Sequence, residues 1–595
     1  RKAPRKAAQA AFFVARRRQT PARSALPPPP RLVRTATPKH NARMIRDPAT
    51  PTLFQRRVYG TVGLTVLIGL YLLVGLTAHD PWRGDDARHF GPVLAMLRGE
   101  SWLFPLLAGE PLVEHPPIYY WVASGLSALT APFLPAHAGA RLASAFFVAL
   151  AIWWLARAAE ALHGRPARTP AALLALGTLG LVLHAHETQP LLALLAMIAL
   201  TLSGLAELPT RPLAGGLKAG VGSGLAFLAA GFGGLWMSAP LLPLAMLLST
   251  DCRSPRASGA LLLGACVALT VAASWPLALH LQQPELLGLW LRNEWQWITG
   301  PTLRPAELPR LLELGAWFMW PLWPLALWAL WRSRRQPRVL PILLPLASAG
   351  LVLAWLVAID DLSQARLIPL VPALALLAGG GVASLRRGAA SALDWFSLMS
   401  LAVFGVLVWL AWSAQIAGWP TGLARHVARN APDFVPPDAN LRMLAGVAIS
   451  ALWILLVARL PRSPARAPAN WAIGLVMLWS LAVVLLMPWF DHGRSYRAVV
   501  ESLDIAVRGE RGAQAQECIA TTGLPDAMKT SMDYFAGLRA RAIDAGATPC
   551  ALLLVHVERR GQAAALAPEW ETVWEYRRGA GKRAETFRLL RRAGR

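Results

Sequence analysis

The feature that most constrains this chain is a succession of apolar runs, each about 20 residues long, between residues 58 and 490. A helix needs roughly 20 apolar residues to cross the hydrocarbon of a bilayer, and inside that layer only helices and closed barrels satisfy every backbone polar group. Residues are 55% hydrophobic and only 15% charged. The formal charge of +26 is large enough to suggest nucleic acid. Its distribution argues otherwise, because the basic residues lie in an N-terminal tail and in short loops between apolar runs, as membrane insertion requires. The expected fold is mainly α, a polytopic membrane protein.

The runs read as about thirteen spans, among them 169–185, 215–231, 234–250 and 311–331. One further apolar piece, 117–134, decides the topology, since a crossing there would flip every later helix. With 117–134 kept on the outer side, the inner loops hold about 15 Lys and Arg, including Arg332, Arg334, Arg335 and Arg338, and the outer loops about 6. The positive-inside rule therefore puts the N-terminus in the cytoplasm and makes 117–134 a re-entrant or interfacial helix.

Residues 1–57 form a basic tail with no acidic residue before Asp47 and no apolar signal core. It reads as a disordered cytoplasmic tail, or as an over-extension ahead of a start at Met44. Residues 58–490 form the membrane domain, and 491–595 are polar enough for a small soluble α/β domain outside the membrane. There, 495–507 and 526–538 read as helices, 518–523 and 551–557 as strands, and ETVWEYRR and ETFRLLRR as a terminal strand pair around Gly579-Ala-Gly581. Cys518 and Cys550 each open an expected strand. They read equally as a disulfide in an oxidising compartment or as two buried thiols. The four cysteines show no CxxC or His/Cys metal spacing.

Chemistry is expected in the first outer loop, 79–139, which gathers Arg83, Asp85, Asp86, Arg88, His89, Glu114, His115 and Pro116-Pro117. A carboxylate of the Asp85-Asp86 pair, kept ionised by Arg88, suits a general base for an acceptor hydroxyl. The plainer reading is an N-cap and a first-turn acid opening the helix 87–97. Pro116-Pro117 fixes Glu114 and His115 in place; His115 can donate to an anionic leaving group or bind a metal with Glu114. Two other outer turns carry polar groups. His184, His186 and Glu187 read as interfacial residues rather than a cation site. Arg366 is placed to meet a lipid phosphate or to pair with Asp360 or Asp361.

Asp85-Asp86-Ala-Arg88, Met96-Leu-Arg-Gly-Glu-Ser-Trp102, Pro105, Gly109, Glu114-His115-Pro116-Pro117 and Tyr120-Trp121 resemble the first outer loop of polyprenyl-phosphate-sugar-dependent membrane glycosyltransferases. These are GT-C enzymes related to the protein O-mannosyltransferases and the lipid A aminoarabinose transferase. The likeness continues through Ala140-Arg141-Leu142, Gly224–Gly231, Trp275-Pro276 and Ile368–Ala375. Three positions depart from the family pattern: His115 replaces a Lys, Gln189 an Asp and Ala230 a Lys.

The resemblance implies an inverting hexosyl- or pentosyltransferase of the bacterial inner membrane, with a periplasmic C-terminal domain. It would take a sugar from a polyprenyl-phosphate donor and pass it to a lipid A-like lipid, a glycan or a protein, in lipopolysaccharide biosynthesis or a related pathway. Asp85 would be the catalytic carboxylate. Arg88 and His115 would contact the donor phosphate and Glu114 would hold a divalent cation; Asp86 and Arg366, from their positions in the sequence, are further substrate-binding candidates. A transporter or flippase, or a non-catalytic relative, is the alternative, but no internal repeat is evident and the ionisable residues gather at the ends of the spans.

Overall fold

The computed structural model describes residues 61–299, 308–335, 339–359, 362–430, 434–459, 465–511, 518–542, 550–557, 570–579 and 585–592. The basic tail with Met44, together with Arg338, Asp360 and Asp361, lies outside these residues. The chain is a multi-pass helical membrane protein with a small C-terminal sheet. Among the described residues, eight helices are long and apolar enough to cross a membrane, from Ala136–His163 to Arg466–Arg494. The count of thirteen is not recovered. The runs 215–231 and 234–250 share one element, Pro212–Leu247. The runs 169–185 and 311–331 each divide into two shorter helices, Arg165–Leu176 with Leu179–His184 and Leu308–Phe318 with Leu322–Arg332. Hydropathy registers apolar content and is blind to the breaks that Gly177 and Pro321 introduce within it.

The segment 117–134 forms the helix Ile118–Thr130, 13 residues that start directly after Pro116-Pro117. At 1.5 Å per residue this is about 20 Å, short of the roughly 30 Å hydrocarbon layer. The loop helix Asp85–Leu97 precedes it, two residues longer at its start than the sequence suggested. Between them lies the two-residue hairpin of β1 (Leu106–Leu107) and β2 (Glu110–Pro111).

Small residues set the helix spacing. A Cβ on Gly220 would fall 2.1 Å from the Gly264 carbonyl oxygen, and one on Gly216 would fall 2.2 Å from that of Ala260. The helices Pro212–Ser238 and Pro255–Gln282 therefore touch backbone to backbone, the arrangement small residues permit in a membrane. The first of these helices is broken inside the bundle, where Ala230 has φ −150° and Gly231 φ 58°.

The C-terminal part holds the helices Arg497–Arg511 and Asp526–Ala536 and five strands: β3 (Ile519–Thr522), β4 (Ala540–Ala542), β5 (Leu552–Val557), β6 (Trp570–Arg578) and β7 (Glu585–Arg592). Their order is β4-β3-β5-β7-β6, parallel across β4-β3-β5 and antiparallel across β5-β7-β6. The short edge strand β4 carries too little pattern to be read from sequence. Cys518 and Cys550 form a disulfide joining the starts of β3 and β5. This unit does not hang free of the first loop. Ala87 of the loop helix is buried in the same cluster as Tyr496, Val500, Leu503, Met528 and Phe587.

Replacing Gly220 by Leu should push the two touching helices apart and destabilise the solubilised protein by about 1–3 kcal/mol. Gly259, with open space where its Cβ would go, should accept Leu without change. Thermal denaturation of both variants in detergent checks this, and equal melting temperatures would refute the close-packing account.

Candidate active site

The loop that carries the candidate residues is tied down by one buried ion pair. Arg141 emerges from the apolar helix Ala136–His163 with its side chain wholly buried, and its Nη2 reaches Asp86 Oδ2 at 2.7 Å. The same guanidinium donates to the carbonyls of His79 at 2.8 Å and Asp80 at 2.7 Å. Asp86 also accepts from the Trp82 N–H at 2.9 Å and, through Oδ1, from the Thr188 N–H at 2.7 Å. Burial alone would raise the Asp86 pKa, but the Arg141 charge and these donors outweigh it and hold the carboxyl below its ordinary range. Both oxygens are thus consumed internally. This corrects the expectation that Asp86 meets substrate: it joins the first loop to the 184–189 turn.

Asp85 has a different setting. It is half-buried at the first position of the loop helix, and its Oδ2 accepts from the Gln189 side-chain amide at 3.1 Å. Gln189 is itself fixed, since its backbone N–H donates to the Tyr119 hydroxyl at 3.1 Å. One turn along from Asp85, Arg88 donates through Nη2 to Glu114 Oε1 at 2.8 Å and through Nε to Asp526 Oδ2 at 3.1 Å. The latter partner belongs to the C-terminal part.

His115 hydrogen-bonds the Ala229 carbonyl, just before the break in the helix Pro212–Ser238, and burial followed by the charges of Arg366 and Arg88 pushes its pKa down to about 3. Its Nδ1 has no partner among the described residues. A carbonyl can only accept, so the ring proton sits on the other nitrogen and Nδ1 presents a lone pair. The expectation that His115 donates to a leaving phosphate gives way to an acceptor role.

The residues do not fit a metal at Glu114. Among the described residues no group of three or more His, Cys, Asp or Glu side chains is placed to hold one, and Glu114 faces a guanidinium. The second outer turn likewise makes no cation site, because His184 pairs with Glu187 at 3.1 Å while His186 lies 2.6 Å from the carbonyls of both Val182 and Tyr71.

Glu114, His115 and Arg366 converge on one cavity of about 630 Å³. Leu235, Trp236, Ala239 and Pro240, from beyond the helix break, and Ala354, Trp355 and Ala358, from the helix Leu340–Ala358, give it an apolar body. A few charged groups in an otherwise apolar cavity suit a lipid with an anionic head. The Arg366 guanidinium lies 5.7 Å from the Trp355 ring centroid. Neither Asp85 nor Arg88 is among the lining residues; Arg88 meets the cavity through its pair with Glu114.

The chain was compared with known proteins. No protein-family model matches it. Crystal structures of ArnT from Cupriavidus metallidurans, one bound to undecaprenyl phosphate and one in the apo state, superpose on it with TM-scores of 0.65 and 0.60 at 17% and 16% identity. They cover 90% and 89% of this chain and 98% and 97% of theirs. This is the GT-C fold. Two curated relatives are each named undecaprenyl phosphate-alpha-4-amino-4-deoxy-L-arabinose arabinosyl transferase. The one from Pseudomonas paraeruginosa (strain DSM 24068 / PA7) is 29% identical over 229 residues, and the one from Pseudomonas aeruginosa (strain UCBPP-PA14) 28%. Each alignment takes in 37% of this chain and 41% of the relative, less than half the length of either.

Two groups escaped the sequence reading as site members. Arg141 was noted only as part of the family likeness, although a lone arginine early in a long apolar helix signals a buried partner. Glu294 lies on the helix Pro284–Thr299, where no motif or spacing marks it. Asp86→Ala should leave the Arg141 guanidinium buried without its carboxylate and destabilise the protein by about 3–5 kcal/mol, whereas Asp85→Ala should leave stability nearly unchanged. Thermal scans in detergent decide it; an Asp86→Ala variant as stable as the parent would show that the pair does not anchor the loop.

Proposed function

We propose that this chain is an inverting membrane glycosyltransferase that moves a sugar from a polyprenyl-phosphate donor to a lipid acceptor at the outer face of the bacterial inner membrane. The observation that carries the reading is the cavity, mostly apolar and lined also by Glu114, His115 and Arg366, in a fold shared with a structure that holds undecaprenyl phosphate. The names of the curated relatives favour a lipid-linked pentose as donor, and a lipid A-like molecule is the acceptor class that fits best. A glycan or protein acceptor is the alternative. The charge asymmetry of the loops supports a cytoplasmic N-terminus and a periplasmic C-terminal domain.

In this reading Asp85 is the general base. Gln189 fixes its Oδ2, which leaves Oδ1 to take the proton from an acceptor hydroxyl. The acceptor oxygen attacks the anomeric carbon from the face opposite the phosphate. The carbon–oxygen bond to phosphate breaks, its electron pair stays on the phosphate oxygen, and the anomeric configuration inverts. The leaving group gains one negative charge, which Arg366, lining the cavity, would stabilise, with Arg88 beside Glu114 as a second candidate. His115, acting through its Nδ1 lone pair, suits a sugar hydroxyl.

Asp85→Asn keeps the size of the side chain but removes the base. Transfer from a panel of labelled polyprenyl-phosphate sugars in membranes should fall about 10²–10⁴-fold with expression and donor binding retained. Equal transfer by wild type and variant would remove Asp85 from this role.

A further inference from the structure

The outer helix Pro284–Thr299 puts an acid into the same cavity, and the chemistry above leaves it idle. Glu294 is 8% exposed and lines the cavity beside Phe232 and Gly233. It sits at the break in the helix Pro212–Ser238. Its Oε2 accepts the Phe232 N–H at 3.1 Å, a donor that the break would otherwise leave unsatisfied. Its Oε1 rests against Gly231, where a Cβ would come within 2.6 Å, so only glycine fits there. Among the described residues no ion pair holds Glu294.

A neutral carboxylic acid can accept with one oxygen and donate with the other, whereas a carboxylate can only accept. Capping Phe232 uses one oxygen and leaves the other for the cavity. We propose that Glu294 is a donor-recognition residue: as the neutral acid it caps the helix break and hydrogen-bonds the phosphodiester of the lipid donor, and as the carboxylate it repels that phosphodiester. The inference rests on reading the cavity as the polyprenyl-phosphate site.

The charges facing Glu294 support it. Burial pushes its pKa up to about 7, against the opposing pull of the Phe232 N–H. The other ionisable groups lining the cavity are Glu114 and His115 from the first loop and Arg366. Arg88 engages Glu114, His115 is kept neutral by burial, and Arg366 carries a fixed charge. Below about pH 7 Glu294 is neutral and above it ionised, so donor affinity should fall as pH rises through neutrality.

The probe is the methyl ester of undecaprenyl phosphate, chosen because it lacks the second phosphate ionisation near pH 6. Its binding to the full chain in detergent is read by quenching of tryptophan fluorescence, Trp236 and Trp355 being cavity residues. Wild-type Kd should rise about tenfold between about pH 6 and about pH 8.5. Glu294→Gln, which keeps an oxygen for Phe232 and an N–H for phosphate, should bind with the low-pH affinity at both. A flat wild-type profile, or the wild-type rise retained in Glu294→Gln, overturns the proposal. Arg366→Ala separates the two claims. If it weakens binding while the pH profile is flat, only the Glu294 inference falls; if it binds like wild type, the reading of the cavity falls and takes the inference with it.

Discussion

The pair between Arg141 and Asp86 is the interaction on which the first loop and what packs against it depend. A guanidinium rising from an apolar helix must be neutralised and must place its hydrogens, because a buried unpaired charge is among the most destabilising features a fold can contain. Here one carboxylate and three backbone carbonyls, those of Leu76, His79 and Asp80, do so together. The segment from Leu76 to Asp80 and the start of the loop helix are thereby drawn to one point. Through Thr188 the second outer turn is drawn there too. Asp85 is the next residue along from Asp86, so its position follows from where Asp86 is pinned, and Gln189 reaches it from the turn that Thr188 fixes. Fixed geometry of this kind is what proton transfer at a candidate base requires.

The C-terminal part engages the same loop by other means. Asp526 and Asp533 receive Arg88 and Arg98, while Lys529, Arg539 and Arg497 reach back to Glu110, Glu100 and Asp80. Most of these pairs are partly exposed and individually weak. Beneath them is close packing: a Cβ on Gly91 would come within 2.8 Å of Thr530 Oγ1, and Tyr534 lies edge-on to Phe90 with ring centroids 5.0 Å apart. The close approach holds the helix Asp526–Ala536 against the loop helix, and the ion pairs fix its register. Arg88, shared between Glu114 of the cavity and Asp526, is where the two parts meet.

Much of this was legible in the sequence, and the limits have physical causes. Apolar length and loop charge give a helical membrane protein because the bilayer imposes both. The helix Ile118–Thr130, the loop helix and the pairing of β6 with β7 follow from Pro-Pro, first-turn acids and alternation. The number of spans does not follow, since the breaks at Gly177 and Pro321 occur inside apolar text. Side-chain destinations were less legible still. Asp85 and Asp86 are identical neighbours in sequence, yet adjacent helix positions point about 100° apart. One carboxylate therefore enters a buried knot and the other faces an amide at the edge of the loop. No spacing rule separates them, because the distinction rests on Arg141, 55 residues away from Asp86.

The break at Ala230-Gly231 shows the same logic inside the bundle. Within hydrocarbon an interrupted helix exposes backbone groups that no water can satisfy, and such breaks survive only where protein or an aqueous cavity covers them. Here both partners come from outer segments: His115 from the first loop takes the Ala229 carbonyl, and Glu294 from the outer helix takes the Phe232 N–H. The groups meeting the break are an imidazole kept neutral by burial and an acid whose pKa burial raises, neither of which adds permanent charge. The cavity is therefore shaped by two residues from outside the broken helix whose first task is to satisfy its backbone, and the polarity of the cavity follows from how they do so.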